Sequence, residues 1–485
     1  MTKEERSALV LESCLSLSAE RDREALLSAI LDTAMDIACC DAGTLYLLED
    51  YKLRFCRMVT RSMGVRQGGH ASPITLPPVP MEECYVAAYV ALHGETINIA
   101  DVRTETRFDF TGSLRYDAMT GYRTKSQLVI PMTDDRGDLI GVMQLINAED
   151  ENGETVAFSP DVELPVRAIA SQAAISITNM RYADQTNRLL DSLVAALSTA
   201  IDERTPYNAD HTRNMARIGA RFLDWLERTE NPWTFSEEKR RTFLLAVLLH
   251  DVGKLVVPLE IMDKPTRLGL VRPERIRERF CRIVLLGKIA LLEGRIDAEA
   301  FRALTDDVAA AKELIGKVDG AGFLPDETLA AVDALAKRTF VNESGEAEPW
   351  ITEDEAVCLS VRKGTLTAEE RAVMESHVVM TEHILSRVTF PKQYSDVPVW
   401  AAAHHEYLSG RGYPNHLTAE AIPDEVRLLT ILDVFDALTA RNRPYKPAMP
   451  VDRALAVLRD MADKGDVDSG ILQLFTESKA WEEKQ

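Results

Sequence analysis

The hydrophobic rhythm of the chain changes twice. Between about Asp22 and Ala38, Leu26, Leu27, Ile30, Leu31, Ala34 and Ile37 recur at helical spacing and predict an amphipathic helix. Five short runs follow: GTLYLLED, KLRFCRMVT, ETINIAD, SQLVIPMTD and LIGVMQLINA. Each is rich in β-branched and aliphatic residues and bounded by Gly, Asp or charged turns, so each reads as a strand. A helix from Asp161 to Met180 closes the set. Helix, mainly antiparallel strands and closing helix together describe an α+β domain.

From Val166 the period is helical again. Val166, Ile169, Ala173, Ile177 and Met180, then Leu189, Leu190, Leu193, Val194, Leu197 and Ile201, recur every three or four residues. The polar run ADQTNR at 183–188 interrupts this stripe, so two helical segments joined by a polar turn of helix fit better than an unbroken coiled coil. Such a linker suits a parallel homodimer, and an ordinary core-facing helix leaves the same trace. Beyond Ile201 the runs RRTFLLAVLLH, AEERAVMESHVVMTEHIL and PDEVRLLTILDVFDALTA predict an all-α domain. Residues 268–363 are separately helical and hold no histidine, which marks them as an insertion.

Composition sharpens this picture. A chain of 485 residues with 46% hydrophobic residues exceeds one core and makes at least two domains. A formal net charge of -21 excludes a general binder of nucleic-acid polymers or anionic membranes, so a phosphate substrate must be met by local positive charge. Seven cysteines, with Cys39 and Cys40 adjacent, form neither a CxxC pair nor an even disulfide framework, as in a reducing compartment. No basic leader with an apolar core opens the sequence, and no apolar run nears the ~20 residues of a membrane span. The expected location is cytoplasmic.

The candidate chemistry lies in the second half. Seven of the nine histidines come after residue 210, among them His211, His250 beside Asp251, His377, and the adjacent His404 and His405. His250-Asp251 ends the apolar run FLLAVLL and Asp433 sits inside LLTILDVF, where an unpaired charge is expensive and a coordinated one is tolerated. Imidazoles with a few carboxylates suit divalent first-row metals such as iron, manganese, zinc or nickel.

Over roughly residues 20–182, with LVIPMTDDRGDLIGVMQLINA as its most diagnostic stretch, the sequence resembles the GAF family of small-molecule and signal-sensing domains. Cyclic-nucleotide-binding members of that family carry an Asn-Lys-Phe-Asp-Glu constellation. Asn147, Phe158, Asp161 and Glu163 follow it loosely and Ala148 replaces the lysine, so the resemblance implies a sensor with an unidentified ligand or a domain used only for dimerisation.

The order His211, His250-Asp251, Asp433 resembles the HD superfamily of metal-dependent phosphohydrolases, and HHEYLSGRGYP, with Gly412-Tyr413-Pro414, narrows the likeness to the HD-GYP family. LLHDVGK, KPTRLG, HVVMTEHIL and DVFDALTARNRPYK occur in that family's order, over roughly 190–270 and 363–475. The implied organisation is a sensor domain at 20–182, a helical linker at 183–200 and an HD-GYP domain at 201–475 interrupted at about 268–363. The implied activity is bacterial second-messenger signalling by hydrolysis of a cyclic dinucleotide, chiefly cyclic di-GMP, to the linear pGpG and often on to GMP. The resemblance also implies two divalent metals, iron or manganese. His211, His250, Asp251 and Asp433 would hold one, and Asp251 would bridge to a second on His377, His404 and His405. Family members with a third metal use a glutamate four residues before the first histidine, where Tyr207 stands here.

Asp251 and Lys254 are the implied catalytic residues, with Lys254 sharing a helix face with His250 if that helix continues. Lys254, Gly412, Tyr413, Pro414, Arg443 and Lys446 are the implied substrate contacts, Arg443 and Lys446 toward the non-scissile phosphate. His383, His416 and Asp436 read as structural or solvent-facing. Two departures stand out: Ser409 where aspartate is usual, and one extra residue before Arg443-Pro444-Tyr445. Two rival readings remain: a catalytically silent dinucleotide-binding scaffold, and an HD-superfamily hydrolase of a nucleoside monophosphate or triphosphate.

Overall fold

The computed structural model describes residues 3–20, 22–69, 71–204, 211–231, 233–440 and 448–482, and the chain divides between Leu190 and Asp191 into two units. In the first, α1 (Lys3–Ala19) precedes α2 (Arg23–Ala38). Asp22 starts α2 by accepting from the backbone N–H groups of Glu24 and Ala25. The strands are β1 (Cys40–Glu49), β2 (Lys52–Thr60), β3 (Val65–Gln67), β4 (Val79–Pro80), β5 (Ile97–Ile99), β6 (Gln127–Thr133), β7 (Leu139–Glu149) and β8 (Thr155–Val156). Helices α3 (Val86–His93) and α4 (Thr111–Thr120) lie between β4 and β6, and α5 (Pro160–Asp202) follows β8.

The sheet runs β3-β2-β1-β7-β6-β5, antiparallel throughout, with β4 added on β2 and β8 on β7. Alternation along the strands splits the core into two faces. Leu45, Leu47, Leu128, Ile130, Met143 and Leu145 pack against Leu27, Ile30 and Leu31 of α2 and Val166, Ile169 and Ala173 of α5. Tyr46, Val129 and Val142 turn the other way, toward Val86, Ala87 and Val90 of α3. The α+β expectation therefore holds. The polar run at 183–188 is a turn of helix within α5, which is one helix of 43 residues. ADQTNR is polar yet contains no helix-breaking Gly or Pro, so it changes the surface of the helix and not its path.

The second unit is predominantly helical, with α6 (His211–Arg228), α7 (Glu237–Leu249) and α8 (Leu259–Met262) before the insertion. After it come α13 (Ala368–Glu375), α14 (His377–Leu385), α15 (Val397–Ala402), α16 (Asp424–Thr439), α17 (Val451–Asp463) and α18 (Ser469–Ser478). Between them lie α9 (Arg272–Leu292), α10 (Ala298–Asp319), α11 (Asp326–Ala336), the strands β9 (Thr339–Val341) and β10 (Ala347–Pro349), and α12 (Glu353–Leu359).

This inserted segment has its own core, including Phe280, Ile283, Val308, Val318, Leu335 and Trp350. The purely helical expectation for 268–363 is corrected by the β9–β10 hairpin. Asn342 accepts from the N–H groups of Ser344 and Glu346, and Gly345 takes a positive φ of 84°, which turns the chain back between the two strands. The segment is closed at its base by Arg267, fully buried, whose guanidinium donates to the carbonyls of Val361, Val318 and Ala321. Beside it Lys264 donates to both carboxylate oxygens of Glu370, joining the chain before the insertion to the chain after it. No helix among the described residues is long and apolar enough to cross a membrane.

Candidate metal centre

The histidines stand at helix ends, and the ends aim them. Helix α7 stops at Leu249, leaving His250 as its C-cap and Asp251 just beyond, both buried. His377 opens α14, His404 and His405 follow α15, His211 opens α6, and Asp433 lies within α16. Three rings use one device. The Nδ1–H of His250 donates to Val247 O at 2.7 Å, that of His377 to Met374 O at 2.8 Å, and that of His404 to Ala401 O at 2.6 Å. With Nδ1 occupied by a carbonyl three residues back, each ring turns its Nε2 inward. His211 is held differently, its Nδ1–H donating at 2.6 Å to Asp436, which also accepts from Asn214.

Asp251 stands in the middle with one oxygen toward each group of imidazoles. Its Oδ2 lies 3.2 Å from His250 Nε2 and 3.9 Å from His211 Nε2. Its Oδ1 lies 3.5 Å from His377 Nε2 and 3.9 Å from His404 Nε2. Asp433 faces His211 at 3.3 Å through one oxygen and His405 at 3.8 Å through the other. Donor atoms of His211, His250 and Asp433 fall within 4.8 Å of one another, and so do those of His377, His404 and His405.

These donors fit divalent cations on two observations. His250 Nε2 and Asp251 Oδ1 are buried without any hydrogen-bond partner, a state that costs about 1–3 kcal/mol per group. His377 Nε2 and His404 Nε2 face each other at 3.4 Å, acceptor to acceptor when both rings are neutral. A cation gives all of them a partner. Neutral rings are what burial produces: His404 is driven far below the ordinary imidazole range, His405 is lowered, and His377 falls to about 4. His211 goes the other way; burial opposes its charge, yet hydrogen bonds to Asp433 and Asp436 lift it to about 9. Burial also works against the Asp251 and Asp433 anions, but the His250 and Lys254 charges hold Asp251, and the hydrogen bond with His211 and the neighbouring His charges hold Asp433, well below the usual carboxylate range.

All seven expected ligands therefore converge, and Lys254 reaches them by a route other than the expected one. The α-helix ends at Leu249, and residues Val252–Val256 form a 3-10 helix. Its tighter turn, three residues per repeat, places Lys254 Nζ 2.6 Å from Asp251 Oδ2. Gly253 is required where this turn meets α14: a Cβ there would sit 1.9 Å from His377 O. Its N–H donates to Thr381 Oγ1, which in turn donates to His250 O.

The Gly412-Tyr413-Pro414 segment folds back over His405. Tyr413 N–H donates to His405 O, and the Tyr413 ring lies 4.8 Å from the His405 ring. A Cβ on Gly412 would come 2.5 Å from that same His405 carbonyl. Buried Glu406 secures the loop by accepting from the N–H groups of Asn415 and Leu417. At the first departure, Ser409 Oγ donates to Asp466, which also accepts from Arg411, so the carboxylate at this place comes from residue 466.

Asp436, read as structural or solvent-facing, is buried and orients His211. Its place three residues after Asp433, on the same helix face, was the available signal. His383 lies on α14 outside the cluster and His416 is exposed. Tyr207, Arg443 and Lys446 lie outside the described residues.

The first unit holds a different site. A cavity of about 350 Å³ is lined by Thr44, Tyr46, Phe55, Tyr85, Phe110, Tyr116, Tyr122, Thr124 and Gln144, with no lysine or arginine among its described lining residues. Tyr46 OH donates to Gln144 Oε1 at 2.7 Å in its wall. Of the loose constellation, Asn147 braces the chain through Tyr122 OH and Arg123 O, while Asn98 ties Phe158 O to Glu163. Neither Asn147 nor Phe158 lines the cavity.

Comparison with known proteins matches residues 22–177 to the GAF domain and residues 354–471 to the HD domain. The chain is 37% identical over 99 residues to 3'3'-cGAMP-specific phosphodiesterase 3 of Vibrio cholerae, covering 20% of this chain and 21% of that protein. It is 41% identical over 99 residues to the cyclic di-GMP phosphodiesterase response regulator RpfG of Xanthomonas campestris, covering 20% and 25%. A cyclic di-GMP phosphodiesterase of Thermotoga maritima is 34% identical over 104 residues, covering 21% and 28%. The chain thus spans about a quarter of the length of these curated relatives. It carries a GAF domain followed by an HD domain.

Proposed function

We propose that this chain is a metal-dependent phosphodiesterase that opens a cyclic dinucleotide, cyclic di-GMP or 3'3'-cGAMP, under the control of its GAF domain. The observation that carries the reading is Asp251, with one carboxylate oxygen toward each of two imidazole groups, while His250 Nε2 and Asp251 Oδ1 are buried without a hydrogen-bond partner. His211, His250, Asp251 and Asp433 would hold one cation, and His377, His404, His405 and Asp251 a second, iron or manganese in kind. Such cations supply Lewis acidity and hydroxide near neutral pH.

The chain's own residues do the rest. Carbonyls at Val247, Met374 and Ala401 lock three rings in one tautomer, so the donor set needs no rearrangement. Lys254 extends its ammonium beside Asp251 and adds positive charge where the phosphate meets the centre. Tyr413 covers His405 and narrows the approach of water. Hydrolysis adds one water: an oxygen–phosphorus bond forms, the ester bond to the ribose oxygen breaks, and that oxygen leaves with a proton. The local charge answers the acidity of the chain as a whole. Arg443 and Lys446 keep their proposed place on the non-scissile phosphate.

The GAF cavity, walled by tyrosines, phenylalanines, threonines and Gln144 and without a cationic side chain among its described lining residues, suits a neutral or cationic ring in preference to an anionic nucleotide. Leu189 and Leu193, exposed one turn apart on α5, support a homodimer along that helix.

The test is incubation of iron- or manganese-loaded protein with cyclic di-GMP, 3'3'-cGAMP and nucleoside triphosphates, with chromatography of the products. Linear dinucleotide or mononucleotide from either cyclic substrate is the expected result. Binding without turnover, or turnover of triphosphates alone, refutes it.

A further inference from the structure

Two buried threonines stand beside the candidate ligands and bind the backbone that carries them. Thr381 lies on α14, one turn after His377, and Thr430 lies on α16, three residues before Asp433. Each shares a helix face with the ligand of its own helix. The Thr381 hydroxyl donates to His250 O at 2.9 Å and accepts from Gly253 N–H at 3.0 Å. The Thr430 hydroxyl lies 2.9 Å from His404 O and 3.0 Å from Val426 O, one turn back in α16. A threonine inside a helix commonly spends its hydroxyl on the carbonyl four residues back. Thr381 turns its proton across to a ligand's carbonyl, and Thr430 shares its own between the two acceptors.

The two clasps cross from one donor group to the other. His211, His250 and Asp433 form one group, and His377, His404 and His405 the other. Thr381 ties the helix of His377 to His250, and Thr430 ties the helix of Asp433 to His404. The two histidines whose carbonyls are held also meet through their rings, edge to face with centroids 4.7 Å apart.

Around Asp251 the clasp is closest. His250 O belongs to the peptide that enters Asp251, and Gly253 N–H to the peptide that leaves Val252, so one hydroxyl holds both ends of the turn that presents the carboxylate. Gly253 meets α14 so closely that a Cβ would stand 1.9 Å from His377 O and 2.6 Å from Thr381 N. The backbone of Asp251 is thereby fixed against the backbone of His377, whose Nε2 lies 3.5 Å from Asp251 Oδ1. A binding constellation of this kind tolerates misplacement of only about 0.5 Å.

We propose that Thr381 and Thr430 are positioning residues that cross-brace the two donor groups and hold them at the separation at which Asp251 serves both. The inference rests on the two-cation reading above and gives a role to hydroxyls that face ligand backbone and not the cations.

The experiment loads the full chain with manganese and records its electron paramagnetic resonance spectrum, with chelator competition on the same samples. The variants are Thr381→Val, Thr430→Val, the double variant, Thr381→Ser and Thr430→Ser, each confirmed as folded by circular dichroism at the assay temperature. Valine keeps the shape of threonine and removes only the hydroxyl. Two manganese ions that share Asp251 couple magnetically, and the unaltered protein shows that coupled spectrum. Thr381→Val shows the hyperfine pattern of isolated manganese and binds its weaker cation about ten- to a hundredfold less tightly. Thr430→Val changes in the same direction by less, and the double variant by more. With cyclic di-GMP the loss falls on kcat and leaves KM in place. Both serine variants restore coupling and affinity, which a mere loss of packing would not predict. A folded Thr381→Val with the coupled spectrum and metal affinity of the unaltered protein overturns the bracing, as does an uncoupled Thr381→Ser; where Thr381→Val does not fold, Thr430→Val carries the same reading. An unaltered protein that takes up a single manganese ion, or two without coupling, refutes the two-cation reading itself.

Discussion

The metal centre and the GAF cavity locate specificity in opposite ways. At the candidate metal centre each side chain is individually demanded: His250, His404 and Asp251 are buried polar groups, and His250 Nε2 and Asp251 Oδ1 have no hydrogen-bond partner. In the GAF cavity no residue stands out. A pleated sheet face, α3 and the β4 region enclose about 350 Å³ of aromatic and hydroxyl-bearing wall, and Tyr46 and Gln144 satisfy each other without a ligand. One site is a set of donors that needs its occupant, the other a shape that can stand empty. Single substitutions should therefore be drastic in the first and mild in the second.

The sharpest attempt to break this contrast is Asp251→Ala. Removing the carboxylate that faces both imidazole groups takes cyclic-dinucleotide hydrolysis to background and lowers bound metal, read by product chromatography and by elemental analysis of the same sample. Near-normal metal and turnover would move the chemistry elsewhere. Next comes Lys254→Ala, in which metal content is retained and turnover drops on the order of a hundredfold, as for loss of one electrostatic donor in a dry site. Asp436→Ala frees the His211 ring without removing a ligand, and metal affinity weakens by about ten- to a hundredfold in competition with a chelator. In the cavity, Tyr46→Phe removes one buried hydroxyl and lowers the stability of the first unit by about 1 kcal/mol in a denaturant titration. A loss as large as that of a core truncation would erase the distinction between the two sites.

The same contrast explains what could be read from the chain. The candidate ligands were visible because charged residues inside apolar runs such as LLTILDVF are improbable without a function, and their order did the rest. Local geometry was harder to see. The end of α7 at Leu249 and the 3-10 turn after it depend on the close approach of Gly253 to α14, a tertiary contact that no local pattern encodes. Asp436 was hidden because its partner His211 lies 225 residues away, so its burial looked like an ordinary helix position. Likewise Lys264 and Glu370 meet only because the insertion folds out on its own core and returns beside its starting point. The cavity was least legible, since its wall is drawn from alternate residues of several strands together with two helices, each residue of a common type. By contrast the strands and the helices flanking them follow from periodicity, because alternation and helical spacing mark which side of each element is buried.

The division of labour around Asp251 is the centre of this account, and anomalous-scattering maps from crystals of manganese- or iron-loaded protein test it most directly. Two peaks are predicted, one among His211, His250, Asp251 and Asp433 and one among His377, His404, His405 and Asp251, each with an Asp251 oxygen as ligand. A single peak, three fully occupied peaks, or none in protein saturated with metal would contradict it.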